Sequence, residues 1–224
     1  ATYMYSMCSP GPATSSMLRE REVDPQPVEK PYRQAWEPVT SPRSVEFAAR
    51  NGVNAYFIVE PNLRLRDNIR MYYDAAEKAG WPDRLNRGEF KYGWDATKRR
   101  GIITGRYLHI ADKGIGDMDR AARGLEVQWD YYGPFGFAGV LADPGEDVDM
   151  GRKVSFQELR DRKVAIHGSV DYVTEEILKI KEIAGYDDFM FNAWFAMGGF
   201  STTEIEEQMM GCAAGLMPGL RPEG

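Results

Sequence analysis

Stretches rich in β-branched and aromatic residues alternate with amphipathic stretches along most of this chain, and that alternation restricts the fold more than any other feature. Strand signals lie near residues 34–39, 55–59, 102–111 and 189–194, each followed by a segment of helical period. Strands separated by crossover helices predict a parallel sheet of α/β class. The helix limits are written in capping chemistry. Ser41-Pro42-Arg43-Ser44 opens a helix to about Asn51, with Ser41 as N-cap, Pro42 in the first turn and Gly52 as the stop. Leu65–Ala79 is helical and ends before Gly80 and Pro82. Met118–Tyr132 is a third helix, ended by Gly133-Pro134. Ser155–Arg162 reads as a short helix and Val164–His167 as a short apolar segment. Ser169 caps Val170–Ala184, whose stripe of Val173, Ile177, Ile180 and Ile183 needs a core to face. Thr202–Leu216 is read as one last helix.

Two segments break the alternation. Residues 1–31 are rich in Ser, Gly and Pro and read as an irregular arm, with a short helix around Ser15–Glu22 as an option. Gly136–Gly151 is glycine-rich and acidic, and reads as a long irregular loop of the kind that is a lid, a contact surface or disordered. The resulting division is an arm over 1–31, a βα body over 32–220 and a tail over 221–224. Four βα units do not close a (β/α)8 barrel, which takes eight.

Composition matters mainly for what it excludes. Of the 224 residues, 43% are hydrophobic and 28% charged, which suffices for a core, and the net charge of -6 gives no global attraction to nucleic acid or an anionic membrane. The run Lys98-Arg99-Arg100 reads as a solvated loop. No apolar run approaches a membrane span, and no signal peptide is visible. The first residue is Ala1 rather than Met, which fits Met removal, processing or a start within a longer gene. Cys8 and Cys212 form no metal-ligand spacing and read as free thiols of a reducing cytoplasm, and two histidines, His109 and His167, do not predict a His-rich metal site. The chain has no GxSxG, HExxH, P-loop or GxGxxG motif.

The order of segments resembles one family. Pro25-Gln26-Pro27-Val28-Glu29-Lys30-Pro31-Tyr32 followed by Ala35-Trp36 is similar to the approach to the fifth barrel strand of bacterial luciferase-like flavin monooxygenases. Thr40 to Gly52 (TSPRSVEFAARNG) resembles that family's two hydroxyl residues, helix start and "Ala-Ala-Arg-His-Gly". Gly105-Arg106-Tyr107-Leu108-His109-Ile110-Ala111 is similar to its seventh strand. His167-Gly168-Ser169-Val170-Asp171-Tyr172-Val173 resembles the opening of a late helix, Asp187–Phe191 with Gly198-Gly199 the eighth strand and its loop, and Met217-Pro218 the C-terminal Met-Pro. Glu37-Pro38-Val39 departs from the family's small apolar run. The four N-terminal strands, with the family's best-known catalytic histidine, have no counterpart here, so that role passes to neither His109 nor His167.

The resemblance implies a (β/α)8 TIM-barrel fold to which this chain contributes about the C-terminal four units. It implies an oxygenase in which reduced FMN, supplied by a separate flavin reductase, reacts with oxygen to a flavin C4a-(hydro)peroxide that attacks an organic substrate. A second polypeptide, or a second copy in a homo-oligomer, would complete the barrel. A non-catalytic flavin-binding or scaffold subunit and a deazaflavin (F420)-dependent oxidoreductase are the alternatives. By the same resemblance Thr40 and Ser41, with Arg43 adding charge, would hold the FMN phosphate at a helix start, as its free N–H groups and dipole favour. Ser41 as a plain cap is the competing reading. Gly168 and Ser169 form a second helix start of that type. His167 is read as structural or as reaching a phosphate or substrate, and His109 as packed in the core. Arg106, inside an apolar strand, requires an anionic partner, with Glu60, Glu37 or a ligand as candidates. Trp36, Phe57, Trp194 and Phe195 are placed near the carboxyl ends of strands, where they line a pocket or pack as core.

Overall fold

The computed structural model describes residues 36–79, 102–111, 118–184 and 190–220. The arm over 1–31, the tail over 221–224, Cys8, Lys98-Arg99-Arg100 and the motif from Pro25 to Tyr32 lie outside them. Five strands form one sheet, β1 (Trp36–Val39), β2 (Asn54–Phe57), β3 (Ile102–Ile110), β4 (Ala165–Gly168) and β5 (Met190–Trp194), and every pairing is parallel. The helices are α1 (Pro42–Arg50), α2 (Asn62–Lys78), α3 (Met118–Tyr132), α4 (Phe156–Asp161), α5 (Val170–Ala184), α6 (Thr202–Gly211) and α7 (Met217–Leu220). The alternation read from the sequence is therefore real, with one strand more than expected among the described residues: β4 takes up most of Val164–His167, read as a short apolar segment.

Its position follows from the pairing. Tyr107 is the register partner of both Ala165 in β4 and Trp194 in β5, so those strands lie on opposite edges of β3. Thr104 likewise joins Phe57 of β2 to Phe191 of β5. The main order is thus β1-β2-β3-β5, and β4 continues the β2 edge beyond the carboxyl end of β2. A four-residue strand fits there because β3 is 9 residues long and β2 only 4.

Each helix has a local cause. Ser41 accepts the N–H of Ser44 while the Ser44 hydroxyl accepts the N–H of Ser41, a reciprocal cap, and Gly52 at φ 66 ends α1 in a conformation that a Cβ disfavours. α2 starts at Asn62, ahead of its apolar period, because Pro61 presets the backbone and its carbonyl accepts the Leu65 N–H at 2.9 Å. The segment expected to be a loop from Gly136 opens with a 3-10 turn at Phe137–Leu141, which Gly136 at φ 77 joins to another at Gly133–Phe135, and it turns irregular only after Leu141. Stacking of Tyr132 on Phe137 and burial of Ala138 and Leu141 favour these turns. The last helix is not one run. It widens into a π turn over Cys212–Leu216, where Gly215 lies against Val170.

Side-chain alternation splits the core in two. Val39, Ala55, Phe57, Ile102, Leu108 and Ile166 bury against α1, α2 and α5. The opposite face presents Tyr107, Ala165 and Trp194 to Leu125, Trp129, Leu141, Phe156 and Leu159. Burying each Phe57- or Leu65-sized chain contributes about 1.5–3 kcal/mol. Among the described residues no helix is long and apolar enough to cross a membrane.

Candidate functional site

The carboxyl ends of β1 and β2 carry a polar cluster. Thr40 and Ser41 follow β1 directly and start α1. The Ser41 hydroxyl is occupied as the N-cap, and Ser44 Oγ lies 3.3 Å from the Thr40 N–H. Pro42 has no N–H, so the Arg43 N–H is the first-turn amide left for a ligand. The Thr40 hydroxyl and the Arg43 guanidinium have no partner among the described residues, and Arg43 is exposed. The turn thus combines a cap with two unengaged donors beside the positive end of the helix dipole, a donor set that fits a phosphate dianion.

Beneath it sits a buried charge network. Glu60 is completely buried, and Asn68 Nδ2 donates to its two oxygens at 3.0 and 2.9 Å. Burial pushes the Glu60 carboxyl up to about 7, against the Asn68 hydrogen bond and the charges of Arg64 and Arg106. Val59, just before it, has φ 24, a strained backbone for a β-branched residue. Arg106, also fully buried, donates to Gly105 O at 2.7 Å, Thr104 Oγ1 at 3.1 Å and Asn62 Oδ1 at 3.0 Å. Burial lowers its pKa to about 10, opposed by Glu60. Of the three partners considered for Arg106, Glu60 supplies the attraction, while neutral acceptors make the hydrogen bonds.

Arg64 escaped notice in the sequence. Its guanidinium donates to Thr40 O at 2.7 Å, Gly139 O at 3.2 Å and Ala142 O at 3.3 Å, with Nε 3.8 Å from Glu60 Oε1. Arg64 and Asn68 lie four residues apart on α2, and Glu60 stands four residues before Arg64, just ahead of the helix, a spacing that was a usable signal.

The second helix start lies apart, and no hydrogen bond links the two among the described residues. Ser169 accepts the Tyr172 N–H at 3.2 Å and so caps α5. Gly168 is required sterically, since a Cβ there would stand 2.5 Å from the Tyr172 ring. His167 and His109 are register partners, both buried, with their Nδ1 atoms 3.1 Å apart. One ring must donate and the other accept, so the pair shares one hydrogen. Phe156 and Phe200 pack edge-on against the two rings. His109 is thus in the core as expected. His167 also borders a cavity of about 270 Å³ lined by Arg160, Lys163 and Tyr172.

The aromatic candidates divide. Trp36 is the first described residue of β1 and pairs with Asn54 at the start of β2, three residues before the carboxyl end at Val39, so it does not stand at the carboxyl edge. Phe57 and Phe195 pack in the sheet–helix core. Glu37 is half-buried, and burial raises its pKa. Trp194 stands on the opposite face, where its Nε1 donates to the Tyr56 hydroxyl at 2.8 Å, as does Asn192 Nδ2. Gly105 leaves the space, since a Cβ there would lie 3.2 Å from that hydroxyl. The buried Tyr107 hydroxyl nearby has no hydrogen-bond partner. Tyr56, Asn192 and Tyr107 were not singled out in the sequence, because their convergence depends on register. Cys212 is half-buried with a free thiol, and among the described residues no three His, Cys, Asp or Glu gather as a metal site.

No protein-family model and no curated protein matches the chain. Solved structures do. The monooxygenase RslO1 from Streptomyces bottropensis superposes with TM-score 0.53 at 21% identity, over 85% of this chain and 49% of that one. The oxygenating constituent of 3,6-diketocamphane monooxygenase from Pseudomonas putida, a Type II Baeyer-Villiger monooxygenase solved with FMN, gives 0.49 at 19%, over 85% and 48%. EDTA monooxygenase from Chelativorans sp. BNC1 gives 0.44 at 15%, over 82% and 45%. The chain spans about half the length of each. The likeness to RslO1, at 21% identity, shows a common fold.

Proposed function

We propose that this chain supplies half of a (β/α)8 barrel in a flavin-dependent monooxygenase that oxygenates an organic substrate, with FMN as cofactor. The observation that carries the reading is the turn after β1, where the unengaged Thr40 hydroxyl and Arg43 guanidinium flank the start of α1 at the carboxyl edge of a parallel sheet. Ligands of such sheets bind at that edge. Thr40, Ser41 and Arg43 would hold the phosphate. Reduced flavin, when bound, supplies the oxygen-activating chemistry. The chain's own part is to anchor that phosphate, orient the cofactor and keep water out. Trp194 and Tyr56 offer an aromatic wall with a polar handle for this.

Completion by a second polypeptide is part of the proposal. β1 pairs only with β2, and β5 only with β3, among the described residues. Two parallel edges left open in water are unfavourable. Purification from the native source is expected to bring down a second polypeptide and yellow flavin, with FMN bound at least tenfold more tightly than riboflavin, about 1.4 kcal/mol for the phosphate. A colourless homo-oligomer that ignores both flavins would refute the enzymatic reading and leave a scaffold of the same fold.

A further inference from the structure

We infer that Arg64 is the positioning residue of the phosphate turn, clasping Thr40 and the 139–142 segment together from a seat on buried Glu60. The inference rests on the phosphate reading of Thr40, Ser41 and Arg43.

The argument begins with reach. One guanidinium touches the Thr40, Gly139 and Ala142 carbonyls, across sequence separations of 24, 75 and 78 residues. No other side chain of the cluster joins three chain segments. The bond to Thr40 is the shortest, 2.7 Å, and it fixes the plane of the Thr40–Ser41 peptide. That plane sets where the capped end of α1 begins, beside the Thr40 hydroxyl. The hydrogen bonds use two different nitrogens, Nη2 for Thr40 and Nη1 for the other pair. A lysine ammonium is a point donor and cannot span both directions. Nor is the seat an accident of the surface. The Arg64 side chain is only 22% exposed, and its Nε faces a carboxylate with no exposure at all. Asn68 holds that carboxylate from the next turn of α2. The order of parts is therefore Asn68, Glu60, Arg64, Thr40, with the segment at Gly139–Ala142 tied to the same cation. Arg64 acts through the turn, since its hydrogen bonds go to backbone carbonyls.

The test compares FMN with riboflavin, which lacks the phosphate, by quenching of flavin fluorescence in the protein purified with whatever polypeptide accompanies it. The variants are Arg64→Lys, Arg64→Gln and Arg43→Gln. Arg64→Lys and Arg64→Gln are both expected to weaken FMN about tenfold while leaving riboflavin unchanged, as loss of one well-placed charged hydrogen bond predicts. The lysine keeps the charge, so its failure to rescue marks a geometric role. If both Arg64 variants keep the wild-type preference for FMN while Arg43→Gln loses it, the inference is overturned and the phosphate reading stands. Equal loss of both flavins also overturns it, by revealing a merely structural residue. A wild-type protein with no preference removes the phosphate reading and this inference with it. Hydrogen exchange on the wild type serves if the variants do not fold. FMN, but not riboflavin, should slow exchange of the Gly139 to Ala142 amides, and an unchanged rate there rejects the clasp.

Discussion

Replacing Glu60 by Gln should change how stability depends on pH more than it changes stability itself. Glu60 is wholly buried, and its carboxyl titrates near 7 instead of the ordinary 4.5 because burial disfavours the charged form. The folded state therefore holds a proton that the unfolded chain releases. Stability from this group is fully present below pH 4.5 and is lost as pH rises through about 7. At about 1.36 kcal/mol per pKa unit, the gap between 4.5 and about 7 amounts to about 3 kcal/mol. Glutamine has the same shape and stays neutral, and Asn68 can turn its amide to pair with it. Urea unfolding of both proteins at intervals from pH 4.5 to 8 isolates the term, because every other titrating group is common to the two. The variant should gain about 3 kcal/mol on the wild type between the ends of that range, most of it between pH 5 and 7. A difference curve that is flat would refute the reasoning. So would one of opposite slope, which would mean that Arg64 and Arg106 hold the carboxylate ionised below its ordinary range.

Other substitutions probe packing and polar satisfaction. Gln208 is fully buried and clamps the N–H of Ile110 at 2.6 Å and its carbonyl at 3.1 Å, so Gln208→Leu strands both groups and should cost about 2–4 kcal/mol in urea melts. Gly199→Ala would put a Cβ 2.6 Å from the Arg123 carbonyl and 2.9 Å from Gly124 Cα, both backbone atoms; a loss of about 1–3 kcal/mol by thermal or chemical melting is expected. Tyr56→Phe removes the acceptor of Trp194 Nε1 and Asn192 Nδ2, and should cost about 1–3 kcal/mol together with a change in tryptophan fluorescence.

The local grammar of this fold is plain in the sequence. Serine caps at Ser41 and Ser169 and the stop at Gly52 delimit helices because their hydrogen bonds reach only three or four residues. Alternating strand and helix signals entail a parallel sheet, because parallel strands need a crossover. What failed was whatever depends on how far one strand outruns its neighbour. β4 is a strand only because β3 extends past β2 and leaves an edge to pair with, and Trp36 lies away from the carboxyl edge only because it pairs with Asn54 at the start of β2. His109 meets His167 across 58 residues, and Arg64 reaches carbonyls as far as 78 residues away. Periodicity and capping carry no information about such distances. Register between strands, decided by burial of the whole, alone makes them contacts.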